Sequence, residues 1–385
     1  MNSNVKEKNI IDVIEEFDYS TQNEKYNENF REWRKNKDNV YSFNFKKDQR
    51  ERVYVDGRGF VEKSCSNAEK KVLTNIFHTL GNAILMWIVF EDVISRIILL
   101  ILERLGFNIH ASFMTKTLSG GCHEVAIVLI VLNTMRIVIP MFYLHHKFKM
   151  PKKAAVMSSM NKPSALVGAI SAAFVFSVVT TLPSAFSNEN REVLSFFGSE
   201  NMDVSIWNQG EFVAYTIFDV LVIPIISQLF FCGAAFTVLR QFGDTFAMLI
   251  TAFTAAVLTQ DFRYMPAIFI ITLVGCCGML TSGSIFTAIA VNIIFKMYQL
   301  TIVLIETDTS GTMPLKRNGF MAAIVIAGTI GLIYFRIALK KHPLKLARYN
   351  AEMSFQQRMV HASKTFPFSA VALLCILCAI MEAFK

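Results

Sequence analysis

Six positions between residues 227 and 296 place polar side chains in or beside apolar segments: Ser227, Gln228, Cys232, Gln260, Asn292 and Lys296. The first three lie in the run Pro224-Ile-Ile-Ser-Gln-Leu-Phe-Phe-Cys-Gly233, where Cys232 follows Gln228 by one helical turn. A hydroxyl or thiol beside a lysine amine makes a nucleophile and a base. Ser227 or Cys232 would form such a dyad with Lys296 if the fold joins them. The amides Gln228, Gln260 and Asn292 cannot take up a proton near neutral pH, so none of them can serve as a general base. They offer neutral hydrogen bonds instead, either between helices or toward a ligand. No histidine occurs between His146 and His342, which removes the usual histidine ligands for a water-activating metal from this stretch.

Other ionisable residues also interrupt apolar segments, and each needs an account there. Asp92 and Arg96 are four apart and can pair on one helix face. Glu91 precedes them, and Arg136 lies inside the next apolar run. Asp219 and Lys296 can meet across a bundle, as a structural salt bridge or as a proton relay. The pair Cys375 and Cys378 shares a helix face and reads as packing within a Leu/Ile/Ala run. The sequence implies no cofactor and no metal.

These residues have to be held by membrane-spanning helices. The chain has 385 residues, 53% of them hydrophobic, too apolar for a soluble protein of this length. Apolar segments fall at roughly 77–102, 124–144, 164–186, 212–239, 245–259, 265–281, 284–305, 319–339 and 366–384. The fifth and sixth are short for a full span. The expected fold is therefore an all-α polytopic transmembrane helical bundle of about eight to nine spans. Placing the N-terminus in the cytoplasm puts 28 Lys/Arg residues on inner segments and 7 on outer ones, which satisfies the positive-inside rule. The expected outer loop 187–211 is acid-rich, which agrees. Pro224 cannot donate a backbone bond, so the fourth segment should open there.

Residues 1–75 lack an apolar run and are rich in Lys, Arg, Asn and Glu. They read as a basic, partly disordered cytosolic segment lying against anionic lipid, with a short hairpin possible around Asp56-Gly57. The transmembrane domain then spans 76–385. No nucleic-acid-binding module is recognisable, and no early apolar core marks a secretory signal.

From about 212 to 300 the order and spacing of residues resemble the CPBP family, the CAAX-protease and bacteriocin-processing membrane endopeptidases. Pro224, Ser227, Gln228, Phe231, Cys232 and Gly233 occupy the frame of the family's Glu-Glu…Phe-Arg-Gly motif. Val238-Leu-Arg-Gln-Phe-Gly243 resembles the Leu/Arg-rich turn that follows, and Phe253 with Gln260 falls on the helix that ends in His. Phe269-Ile-Ile-Thr-Leu-Val-Gly-Cys-Cys-Gly278 and Thr281-Ser-Gly-Ser-Ile-Phe286 match a Gly-rich helix and its turn. Asn292 and Lys296 fall on the closing His and Asn. The framework agrees and the chemical positions do not. The resemblance implies an intramembrane protease fold in a bacterial cytoplasmic membrane. With its acids and base replaced, the chain is expected to act as a binding, scaffold or regulatory pseudoenzyme toward a peptide or membrane-protein partner, in contact with membrane lipid. The alternatives are an active endopeptidase with a divergent catalytic set and a small-solute carrier.

Overall fold

The computed structural model describes residues 24–35, 39–42, 52–55, 59–62, 65–112, 117–158, 160, 162–186, 209–262, 264–306, 313–341 and 353–383. Within them, all but two short antiparallel strand pairs and the connecting turns is helical. Six helices are long and apolar enough to cross a membrane, or seven if one bent pair counts as a span.

The helices follow the apolar segments. A short amphipathic helix α1 (Glu24–Lys35) comes first. Helix α2 (Cys65–Ile88) passes through a π-turn (Val89–Ile94) into α3 (Ser95–Arg104). Next are α4 (Cys122–Phe148), the single turn α5 (Lys152–Ala155) and α6 (Pro163–Phe186). A long composite helix follows: α7 (Gln209–Ile217), a π-turn (Phe218–Val222), α8 (Ile223–Gln228), a second π-stretch (Leu229–Phe236), α9 (Thr237–Leu239) and a closing 3-10 turn. Then come α10 (Asp244–Leu258), α11 (Met265–Ser282), α12 (Ile285–Glu306) and α13 (Met313–Lys341). Helices α14 (Phe355–Ser363) and α15 (Phe368–Ala383) form the bent pair, at 74°.

Three expected segments fall outside the six helices, each for a physical reason. The first, 77–102, is helical but carries Glu91, Asp92 and Arg96 at its centre. Helix α10 has 15 residues, about 22 Å at 1.5 Å per residue, short of a hydrocarbon core of about 30 Å. The last segment is the second arm of the bent pair. Helix α2 also begins at Cys65, before the expected domain boundary at residue 75. Strands Arg52–Val55 and Gly59–Glu62 pair as the sequence suggested, while residues 56–58 of their turn lie outside the described set. A second strand pair, Ile109–Ser112 with Thr117–Gly120, precedes α4.

The main core joins α1, α2, α4, the composite helix, α10, α11, α12 and the bent pair. Phe30 and Trp33 of α1 are buried in it, and the Trp33 indole donates to the Phe148 carbonyl at 2.8 Å. Aromatic contacts thread it, Phe77 lying against both Phe246 and Phe368. Gly81 lets the start of α15 approach α2 so closely that a Cβ there would overlap the Phe368 backbone.

Helix α13 lies at the periphery. Ile326, Ile330, Ile333 and Ile337 are each about 60% exposed on it. Such a continuous apolar surface suits lipid and not water. Its contact with α6 is made by small residues: Gly328 and Gly331 pack on the Ser171 region of α6, which lets the two backbones come close.

Candidate functional site

The composite helix and α12 run antiparallel. Lys296 Nζ lies 3.4 Å from Asp219 Oδ2, and lower down Gly233 sits against Ile285. Positions one helical turn apart therefore stack along the seam between them. Asp219 and Lys296 form one level, while Ser227, Gln228 and Asn292 lie further along it. Pro224 withdraws a donor from the ladder between these levels, and π-turns flank α8 on both sides. The helix opens where the proline predicts, through altered winding within one continuous span. The Ser227 hydroxyl turns back to donate to the Pro224 carbonyl at 3.2 Å.

A cavity of about 210 Å³ borders this seam. Ser227, Gln228, Asn292 and Lys296 line it, so four of the six candidate residues share one space. The other two do not line it. Cys232 is fully buried behind the wall, its thiol donating to Gln228 Oε1 at 3.0 Å and lying 3.8 Å from Cys276 Sγ. Gln260 has a left-handed backbone (φ 52°) just past the end of α10. Its amide donates to Asp92 Oδ2 at 3.2 Å, while Asp92 pairs with Arg96 at 3.8 Å. Left-handed backbone at a non-glycine residue turns the chain sharply. Gln260 therefore joins the polar group of the first π-turn, and its neighbours Thr259 and Asp261 face the cavity.

The rest of the lining was not visible as a constellation in the sequence. Glu91, Arg136, Asp261, Tyr264, Thr272 and Gln299 all border the space. Arg136 Nη1 donates to Glu91 Oε1 at 2.8 Å and Nη2 to Asn133 Oδ1 at 2.7 Å. The Trp87 indole donates to the second Glu91 oxygen at 3.2 Å, and its ring lies 5.3 Å from the Arg136 guanidinium. Glu91 and Asp219 each sit inside a π-turn, a local rewinding that is frequent at functional sites. The ionisable groups inside apolar segments were the available signal for Glu91 and Arg136. Their convergence required the approach of α2 to α4.

Chemically, the cavity combines amides and hydroxyls with the ion pairs Glu91–Arg136 and Asp219–Lys296 and the carboxyl group of Asp261. Asp219 is 1% exposed and Lys296 20%. Among the described residues, no three His, Cys, Asp or Glu side chains are placed to hold a metal ion. Cys375 and Cys378 lie on α15, with Cys375 buried in the core and neither bordering the cavity. No protein-family model matches the chain, and no curated protein or solved structure shows significant similarity to it.

Proposed function

We propose that this chain is a multi-pass protein of a bacterial cytoplasmic membrane, with eight to nine spans and a cytoplasmic N-terminus, that keeps the frame of a CPBP-type endopeptidase and uses it to bind and not to hydrolyse. The extra spans are the 65–104 helix, the α14–α15 pair and α10, which crosses where the protein thins the bilayer locally. The observation that carries the reading is the shared cavity of Ser227, Gln228, Asn292 and Lys296. These positions match chemical positions of the family motif, and they contribute hydrogen-bonding groups to one space. Hydrolysis needs a group that accepts a proton from water; the amides at the matching positions supply none. The polar lining suits a ligand with its own donors and acceptors, such as a peptide segment of a membrane partner.

The test is a proteolysis assay on the purified full chain in lipid, with prenylated and signal-bearing peptides. Absence of turnover together with saturable peptide binding supports the reading. Turnover abolished by Ser227→Ala or Gln228→Ala overturns it and favours a divergent peptidase. A second reading, a small-solute carrier, is favoured by the ion pair Asp219–Lys296 on the cavity wall. Flux into proteoliposomes that depends on Asp219 or Lys296 distinguishes it.

A further inference from the structure

Helix α4 carries an apolar stripe that ends in positive charge. Ile127, Val131, Met135, Ile139 and Phe142 follow one another at about one turn, each 44–65% exposed. The same face continues through the exposed His146 to Lys149, where the helix stops. Beyond it the chain turns under the bundle. Met150, Ala154, Ala155 and Met157 enter the core, while Lys147, Lys149, Lys152 and Lys153 stay exposed. Lys149 makes the turn with a left-handed backbone (φ 48°, ψ 35°), the conformation that usually closes a helix with glycine. A side chain with a Cβ is strained there, so this position holds a cation where the backbone favours none.

The surrounding elements do not neutralise these four lysines. No Asp or Glu occurs from residue 125 to residue 188. Helix α1, which packs on α5, carries three acidic and four basic residues. The Leu229–Phe236 stretch, packed on both α4 and α5, has no charged residue. Helix α2 packs on α4; its acid Glu69 is fully buried beside Arg358, and the neighbouring Lys70 and Lys71 are exposed. Among the described residues, none of the four lysines pairs with a carboxylate, and Lys147 lies 6.0 Å over the Tyr143 ring.

We infer that this corner binds an anionic phospholipid of the bilayer, with an acyl chain along the α4 stripe and the phosphate among Lys147, Lys149, Lys152 and Lys153. The order of features along the chain matches the order within a lipid: apolar surface first, then charge at the level of the head groups. The lysine stems can lie along the apolar boundary while their ammonium groups reach the phosphate. A soluble anion would engage the lysines and gain nothing from the stripe. A zwitterionic lipid brings its own cation to the patch, whereas an anionic one brings net negative charge. Each lysine near an anionic surface adds attraction that fades within a Debye length. In the orientation proposed above, this end of α4 meets the cytoplasmic leaflet.

The experiment offers the full chain, in a neutral detergent, dioleoyl phosphatidylglycerol or dioleoyl phosphatidylcholine, and counts retained lipid by native mass spectrometry. Phosphatidylglycerol is expected to bind at least about tenfold more tightly, and less so as salt rises. Glycerol 3-phosphate, which has the phosphate without the chains, is expected not to displace it at equal concentration. The fourfold variant Lys147→Gln/Lys149→Gln/Lys152→Gln/Lys153→Gln is expected to lose most of the preference, and Lys70→Gln/Lys71→Gln to keep it. Lys149→Gly relieves the left-handed strain, so it is expected to raise the unfolding midpoint while weakening phosphatidylglycerol severalfold. The two lipids are compared on the unaltered chain, which makes that reading independent of any variant's folding. Equal binding of the two lipids overturns the inference, as does displacement by glycerol 3-phosphate. A preference that survives the fourfold variant also overturns it, and assigns the lipid to other basic residues such as those of the first 75.

Discussion

Replacing Lys296 with methionine keeps most of the side chain's length and deletes its charge. Asp219, 1% exposed, then loses the cation 3.4 Å away. At that separation, and an effective dielectric of about 20, the attraction is about 5 kcal/mol. Cavity solvent around the lysine, 20% exposed, screens part of this, and the expected loss is about 3 kcal/mol, the low end for breaking a buried pair from one side. Asp219→Leu is milder, about 1–2 kcal/mol, because the remaining ammonium keeps its exposed face for hydration. The double variant Asp219→Leu/Lys296→Met removes both charges and is expected within about 1 kcal/mol of the parent. Reversible unfolding in mixed micelles, followed by tryptophan fluorescence, measures all four corners of the cycle. The expected coupling is at least about 2 kcal/mol. Single losses that simply add in the double variant would refute the claim that these two side chains hold each other.

Further outcomes follow from other contacts. Arg358 is 5% exposed, donates to the Phe242 carbonyl and lies 3.7 Å from the fully buried Glu69. Arg358→Ala is expected to destabilise the chain by about 3 kcal/mol, with Glu69→Gln/Arg358→Met recovering most of it in the same unfolding assay. Gly81→Ala forces the start of α15 off α2. Its expected cost is about 1–3 kcal/mol, with faster proteolytic nicking near residue 365 than in Gly106→Ala, where a Cβ meets open space but costs left-handed strain. Trp33→Phe removes the bond to the Phe148 carbonyl; a loss of about 1 kcal/mol is expected, read as earlier hydrogen exchange in α1. Cys232 and Cys276 are fully buried, so a maleimide is expected to label them only on unfolding; rapid labelling of the folded chain at Cys232 would contradict its place behind the cavity wall.

Helix existence and type were legible in the sequence because a span must be long, apolar and internally hydrogen-bonded, and those demands are written residue by residue. The apolar runs that became α4, α6, α11, α12 and α13 lie close to where they were expected. Pairs one turn apart were legible for the same reason: Asp92 meets Arg96, and Cys232 meets Gln228. The meeting of Asp219 with Lys296 was open to expectation because each is an isolated charge in an apolar helix, for which an opposite charge is the natural partner.

The membership of the cavity was decided only by tertiary structure. By sequence spacing, Gln260 seemed equivalent to Gln228 and Asn292. A left-handed residue at the end of α10 turns it toward Asp92 instead and leaves Thr259 and Asp261 facing the cavity. Cys232 faces the core because π-winding, which adds residues to a turn, rotates everything after Gln228 around the helix. Glu91 and Arg136 stand 45 residues apart and become one wall through the packing of α2 on α4. Composition and periodicity fix which segments leave water. Rotation, winding and helix contacts, which depend on the whole packed set, fix which of their few polar side chains share a space.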